Sequence, residues 1–110
     1  MAGQGIKDRM AEALRYYGFF IFRVTDLREV SAVLAKLKSR QLMRVRKLDR
    51  EGILRILEPD PGAYVQKCVE RCRKGAALDV MCLADCKDRE RRGIIKTVLE
   101  EMGYEAQVQV

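Results

Sequence analysis

Histidine and tryptophan are absent from this 110-residue chain. Asparagine does not occur either, and hydroxyl groups on aliphatic side chains are confined to Ser31, Ser39, Thr25 and Thr97. With no imidazole to take a proton, neither a hydroxyl nor a thiol has its usual activating base, so serine- or cysteine-type hydrolase chemistry is not expected. Apolar runs are short, none approaching the roughly 20 residues a membrane span needs. Met1 to Lys7 contains no apolar stretch resembling a secretory signal, and the chain is expected to stay in the cytoplasm. The missing asparagine, in a chain dense in Lys, Arg and Glu, suggests a thermophile source.

Apolar residues make up 48% of the chain and charged residues 35%, a balance that folds rather than stays disordered. The length allows one ordinary domain, or a smaller one with an appendage, and excludes two large ones. The formal charge of +6 is unevenly spread. Residues 1–57 hold 13 Lys or Arg against 6 Asp or Glu, whereas residues 58–110 hold 9 against 10. Lys36, Lys38, Arg40, Arg44, Arg46, Lys47 and Arg50 fall within fifteen residues that contain one acid, Asp49. Such a block attracts a polyanion, nucleic acid first and an anionic membrane surface second, or else forms a solvated face.

Ile6, Met10, Ala13, Leu14 and Tyr17 recur at helical spacing, predicting a helix over 5–17 closed by Gly18. Phe19 to Val24 is aromatic and β-branched and reads as a buried strand. Thr25 or Asp26 caps a second helix, with Leu27, Val30, Val33, Leu34, Leu37 and Gln41 along one side. Its other side, Arg28, Ala32, Ala35, Lys36 and Ser39, is small and polar. Residues 43–48 and 53–58 form a hairpin around Asp49 to Gly52. A four-residue loop sets Val45 opposite Ile56 and Arg46 opposite Arg55, and two opposed arginines hint at an anion between them. Pro59 to Gly62 marks a boundary between residues 1–60 and 61–110. Beyond it come a helix near 63–74, a turn at 75–77 and a helix from Leu78 that Gly93 interrupts or ends. The apolar stripe Ile94, Ile95, Val98, Leu99 and Met102 reads as core before interface, and Tyr104 to Val110 alternates like a strand able to pair with its own sheet or with a copy of itself.

Cys68 and Cys72, and Cys82 and Cys86, each lie four residues apart on one helical face. A helical hairpin turning at residue 77 faces Cys72 with Cys82 and Cys68 with Cys86 at once, so two disulfides are the preferred reading. Bridges inside the cell fit a hyperthermophile. Four thiolates holding zinc or an iron-sulfur cluster is the alternative, although the tight CxxC turns common in zinc sites are absent. The twin spacing resembles the CxxxC hairpin of the small mitochondrial intermembrane-space Tim chaperones over about 20 residues, which implies the helical hairpin and not their activity.

The order helix, strand, helix, basic hairpin, helix over residues 5–74 resembles a winged-helix DNA-binding domain, most closely in Ser31 to Glu58, where a recognition helix would run into a wing. The fold class expected is therefore α+β, mainly α: a winged helix-turn-helix followed by a cysteine-stapled helical hairpin. The resemblance implies that Ser31, Lys36, Ser39 and Arg40 face the major groove and that Arg44, Arg46, Arg50 and Arg55 meet phosphates, with Lys38 and Lys47 counted among the nucleic-acid-binding residues. Seventeen residues, Thr25 to Gln41, must then hold both helices of the motif, leaving the first a stub over Asp26 to Val30. Without that stub, the order becomes a ferredoxin-like βαββαβ fold with the cysteine hairpin inserted, and Phe20 and Phe22 are its candidates for stacking RNA bases. The function expected is a non-enzymatic DNA-binding protein, a small transcription regulator acting as a homodimer on double-stranded DNA, without cofactor or membrane. A protein-interaction or assembly module is the alternative.

Overall fold

The computed structural model describes residues 5–105, 107 and 108. Helix α1, Ile6–Tyr17, buries Ile6, Met10, Ala11 and Leu14, the side its apolar spacing selects, and ends where Gly18 turns left-handed at φ 83° and donates its N–H to the Leu14 carbonyl. Strand β1, Phe20–Arg23, follows at once. A 3-10 turn at Val24–Asp26 leads into α2, Leu27–Ala35. A second 3-10 turn, Arg40–Leu42, precedes β2, Met43–Lys47, and β3, Leu54–Pro59. The three strands form one antiparallel sheet in the order β1-β3-β2. That order, with α1 ahead of it and a hairpin as its second half, resembles a winged helix. It is not the ferredoxin-like order, and Phe20 and Phe22 turn inward, 6% and 4% exposed, which removes them as base-stacking candidates.

Residues 26–41 hold one α-helix instead of two. Helix α2 uses nine of the available residues, Lys36 closes it, and Leu37 then leaves the helical path to enter the core at 3% exposure. Too little chain remains for a further helix, and the 3-10 turn Arg40–Leu42 stands where a recognition helix was expected. The hairpin register also differs by one residue from the expected pairing. Arg46 opposes Ile56, Val45 opposes Leu57, and Lys47 opposes Arg55. The loop is longer by one residue because Asp49 organises it: its carbonyl accepts from Gly52 N–H at 3.2 Å and its carboxylate from Leu54 N–H at 3.1 Å. Gly52 takes φ 73°, as the sequence suggested.

Helix α3, Val65–Cys72, and α4, Val80–Glu101, are joined by a short hairpin of β4, Arg73–Lys74, and β5, Ala77–Leu78, where a plain turn was expected. The Asp79 carboxylate caps α4 by accepting from Cys82 N–H. Gly93 neither breaks nor ends α4. The helix runs on for 22 residues, because Ile94, Ile95, Val98, Leu99 and Met102 on the far side of the glycine are all buried and hold the last turns down. Those five residues join Met10, Leu14, Phe20, Phe22, Val30, Met43 and Leu57 in a single core, so the core is shared across the Pro59 to Gly62 break.

Tyr104 bends back to α1, its hydroxyl bonded to Asp8 and its ring 5.7 Å from the Lys7 ammonium. The expected terminal strand is not formed at residues 104, 105, 107 and 108, and its other positions lie outside the described residues.

The cysteines form the pairs Cys68–Cys86 and Cys72–Cys82, with Cα atoms 5.7 and 5.5 Å apart, inside the range a bridge spans. A bridged cysteine has no thiolate to offer a metal. No described helix is long and apolar enough to cross a membrane.

Two outcomes test this architecture. Leu57 is fully buried on the central strand, so Leu57→Ala should lower the unfolding free energy by about 2–5 kcal/mol in urea titrations with an unchanged m-value. Peptide mapping without reductant should link Cys68 to Cys86 and Cys72 to Cys82, and reductant should lower the melting temperature. Each bridge contributes about 2–4 kcal/mol through the unfolded state; links within the pairs 68/72 or 82/86 would contradict the hairpin.

Candidate nucleic-acid interface

The basic residues occupy three places, and local structure decides each. Ser31 is exposed midway along α2, beside the exposed Ala32 and Ala35, while Lys36, Lys38 and Arg40 project from the turn that follows. Lys36 and Leu37 still donate their N–H groups to the Val33 and Leu34 carbonyls, but the N–H groups of Lys38 and Ser39 have no helical partner. The Glu101 carboxylate at the end of α4 supplies acceptors instead, to Lys38 N–H at 2.7 Å and to Ser39 N–H at 3.1 Å. Arg40 reaches back to the Ala35 carbonyl at 3.3 Å and so covers the exposed end of α2. The turn is thereby fixed to the core helix while its two lysines stay free in solvent.

Strand pleating divides the hairpin. Met43, Val45 and Leu57 point into the core, and the opposite side of the sheet carries Arg44, Arg46, Leu54, Ile56 and Glu58. Arg44 stands directly across from Glu58, and Arg46 lies diagonally beside it. Both guanidinium groups donate to the same Glu58 Oε2, each at 2.7 Å. These two arginines, expected to be free for phosphate, are occupied by an acid on the neighbouring strand. Burial alone would raise the Glu58 carboxyl, but the bonds from Arg46 and Arg44 outweigh it and hold the group below its ordinary 4.5. The same partnership pushes Arg46 upward. One carboxylate against two guanidiniums still leaves the trio with a net positive charge.

Lys47, Arg50 and Arg55 gather at the far end of the hairpin, beyond the core. Arg55 donates to the Gly52 carbonyl at 3.1 Å and is half-buried. Lys47 folds over the same glycine, where an added Cβ would meet Lys47 Cδ at 3.5 Å and Arg55 Nη2 at 3.6 Å. Like charges therefore do face each other across this sheet, with Lys47 in the place expected of Arg46. Among the described residues none of these three cations forms an ion pair with an acid, and the same holds for Lys36, Lys38 and Arg40. The free cations thus form two groups at opposite ends of β2, whose five residues span about 17 Å.

Glu58 and Glu101 are the site residues that sequence reasoning missed. Shifting the hairpin by one residue puts Glu58 against Arg44, and the cue for that shift was Asp49 followed by Gly52, a loop able to bond its own backbone. Glu101 carries no local signal, since its partners lie more than sixty positions away. Comparison with known proteins finds no protein-family model, no curated protein and no solved structure that matches this chain.

The ion-paired trio gives a pH prediction. A carboxyl whose folded value lies below its unfolded 4.5 stabilises the fold fully above that pH, and the contribution is lost as pH falls through the folded value. Urea midpoints should therefore drop below about pH 4.5, and Glu58→Gln should remove part of that drop. An unchanged acid limb in the variant would deny Glu58 this part.

Proposed function

We propose that this chain is a non-enzymatic DNA-binding protein that holds a duplex mainly through its phosphates, with the β2-β3 hairpin as the wing. The observation that carries the reading is the trio Lys47, Arg50 and Arg55, three cations without acidic partners on the outer end of a short, core-anchored hairpin. Like charges held together without an ion pair to Asp49 or Glu51 of the same loop are an electrostatic cost that a polyanion relieves. Lys36, Lys38 and Arg40 supply a second phosphate contact about one strand length away. Helix α2, just ahead of the second group, offers an exposed surface of Ser31, Ala32 and Ala35, small enough for a groove wall to approach. In this reading α2 takes the place that the sequence assigned to a separate recognition helix, and gene regulation is the biological role proposed.

Electrostatic binding of this kind has a measurable signature. Affinity for a duplex, followed by fluorescence anisotropy, should fall steeply with salt, and Lys47→Ala or Arg50→Ala should each reduce the log–log slope by about 0.9. Glu58→Gln should act in the opposite direction, tightening binding several-fold by releasing Arg44 and Arg46. A flat salt response, or alanine variants that bind as the parent does, would reject the reading.

A second reading, a protein-interaction module, draws on the stapled hairpin. Leu78, Val80 and Met81 at its tip are 40%, 71% and 75% exposed, an unusual apolar display for an end held rigid by two bridges. Its signature is a tip variant, Met81→Lys, that loses a protein partner while duplex affinity is unchanged.

A further inference from the structure

The sheet has two edges, and they differ in chemistry. Along β2, three of five residues are Arg44, Arg46 and Lys47, a cationic edge that repels a copy of itself. Strand β1 is the other edge, and its residues Phe20, Ile21 and Phe22 carry no charge until Arg23. Val24 N–H donates to the Ile53 carbonyl at 2.7 Å, and the ladder alternates. Phe20 and Phe22 therefore turn their backbone groups toward β3, while Ile21 and Arg23 turn theirs outward. Among the described residues no other backbone bond engages them. Beside this edge lie exposed apolar side chains: Ile21 at 47%, Tyr17 at 66% and Phe19 at 38%. Tyr17 and Phe19 stand with ring centroids 6.2 Å apart, at the rim of a hollow they share with Ala13.

We propose that β1 pairs antiparallel with β1 of a second copy of this chain, with the two-fold axis at Ile21. Four two-fold registers use this short strand. Centring on Phe20 sets each Arg23 against Tyr17, the last residue of α1, whose helical backbone cannot join a strand ladder. Centring on Arg23 sets two guanidiniums against each other, and centring on Phe22 sets each Ile21 against a charge. Centring on Ile21 joins the two isoleucines and exchanges their outward N–H and carbonyl groups. It also lays each Arg23 across from the other copy's Phe19, where the guanidinium meets the Tyr17–Phe19 aromatic pair. Of the four, only the register centred on Ile21 satisfies backbone, apolar and charged groups together, and that self-complementarity selects a second copy as the occupant.

The product is a six-stranded sheet, β2-β3-β1-β1-β3-β2. A two-fold axis perpendicular to an antiparallel sheet keeps both outer surfaces on one side. The two Arg44–Arg46–Glu58 trios would then belong to one continuous face, with the β2 strands about 24 Å apart. The pairing stands independently of what the hairpins bind.

Sedimentation and light scattering without DNA test it. The parent should show twice the 12.7 kDa chain mass in the micromolar range. Ile21→Lys should weaken association at least about tenfold by opposing two ammonium groups on the axis. Ile21→Pro removes the outward N–H yet spares the Phe20 and Phe22 bonds to β3, so it should yield a monomer with parental circular dichroism. Ile21→Cys should form a covalent dimer on oxidation, since directly opposed positions of this kind lie about 5.5 Å apart. Asp85→Ala, on the exposed side of the stapled hairpin, should remain dimeric. A monomeric parent, a dimeric Ile21→Lys protein, an Ile21→Cys protein that fails to cross-link, or an Asp85→Ala monomer would each overturn the proposal.

Discussion

The C-terminal hairpin has almost no apolar interior of its own. Between α3 and α4 the buried residues are Cys68, Cys72 and Cys86, with Cys82 and Leu83 partly covered. Two amphipathic helices with so little to bury do not stay together in water, and the Lys67–Glu90 pair on their exposed surface adds little. Sulfur bridges replace the missing core. They fix the first half of α4, while its second half is anchored independently by five buried side chains in the main core. A helix held at both ends by different means places Glu101, at its terminus, against the turn after α2. The position of the basic residues Lys36, Lys38 and Arg40 thus depends on a helix whose other end is covalently stapled.

Charge in the middle of the chain is organised by a contest between acids and backbone. Glu58 binds two arginines on the outer side of the sheet, where the carboxylate is mostly covered and its bonds are least diluted by water. At the hairpin end Asp49 and Glu51 form no ion pair with Lys47, Arg50 or Arg55, and Arg55 instead satisfies itself on a loop carbonyl. The same basic block therefore yields one ion-paired patch, which keeps a net positive charge, and one patch without ion pairs. Charge counting along the sequence treats these residues alike, and only strand register separates them.

Legibility followed the range of the interactions. Helix α1, its glycine stop, the hairpin and the cysteine pairs were readable because each rests on spacing inside a short segment: Gly18 after Tyr17, Gly52 after Asp49, four-residue steps between thiols. The length of α2 was not, because its end is set by Leu37 turning into a core built from distant residues and by Glu101 accepting the N–H groups that a longer helix would have used internally. Gly93 misled for the same reason. Its local preference for ending a helix was outweighed by burial on the following turns, which no window around residue 93 could weigh against it. The one-residue error at the hairpin was small in sequence and large in consequence, since it concealed the acid that occupies Arg44 and Arg46.

The absence of a second helix also bears on what kind of DNA binding is proposed. Base recognition in the major groove relies on long side chains with paired donors or acceptors, such as arginine on guanine or glutamine on adenine. The exposed part of α2 has Ser31 and Ala32 at its middle and Ala35 at its last position, with the charged residues Arg28 and Glu29 in its first turn and Lys36 just beyond its end. Serine and alanine allow close approach but discriminate weakly among base pairs. A protein built this way would draw its affinity from phosphates and from the shape of the duplex, and its preference among sequences would be shallow unless two copies act together. The edge of β1 therefore matters to the proposed function even though it touches no nucleic acid: joining two weak readers through Ile21 doubles the number of phosphate contacts, and the fixed separation of the hairpins imposes a spacing that no single copy can measure.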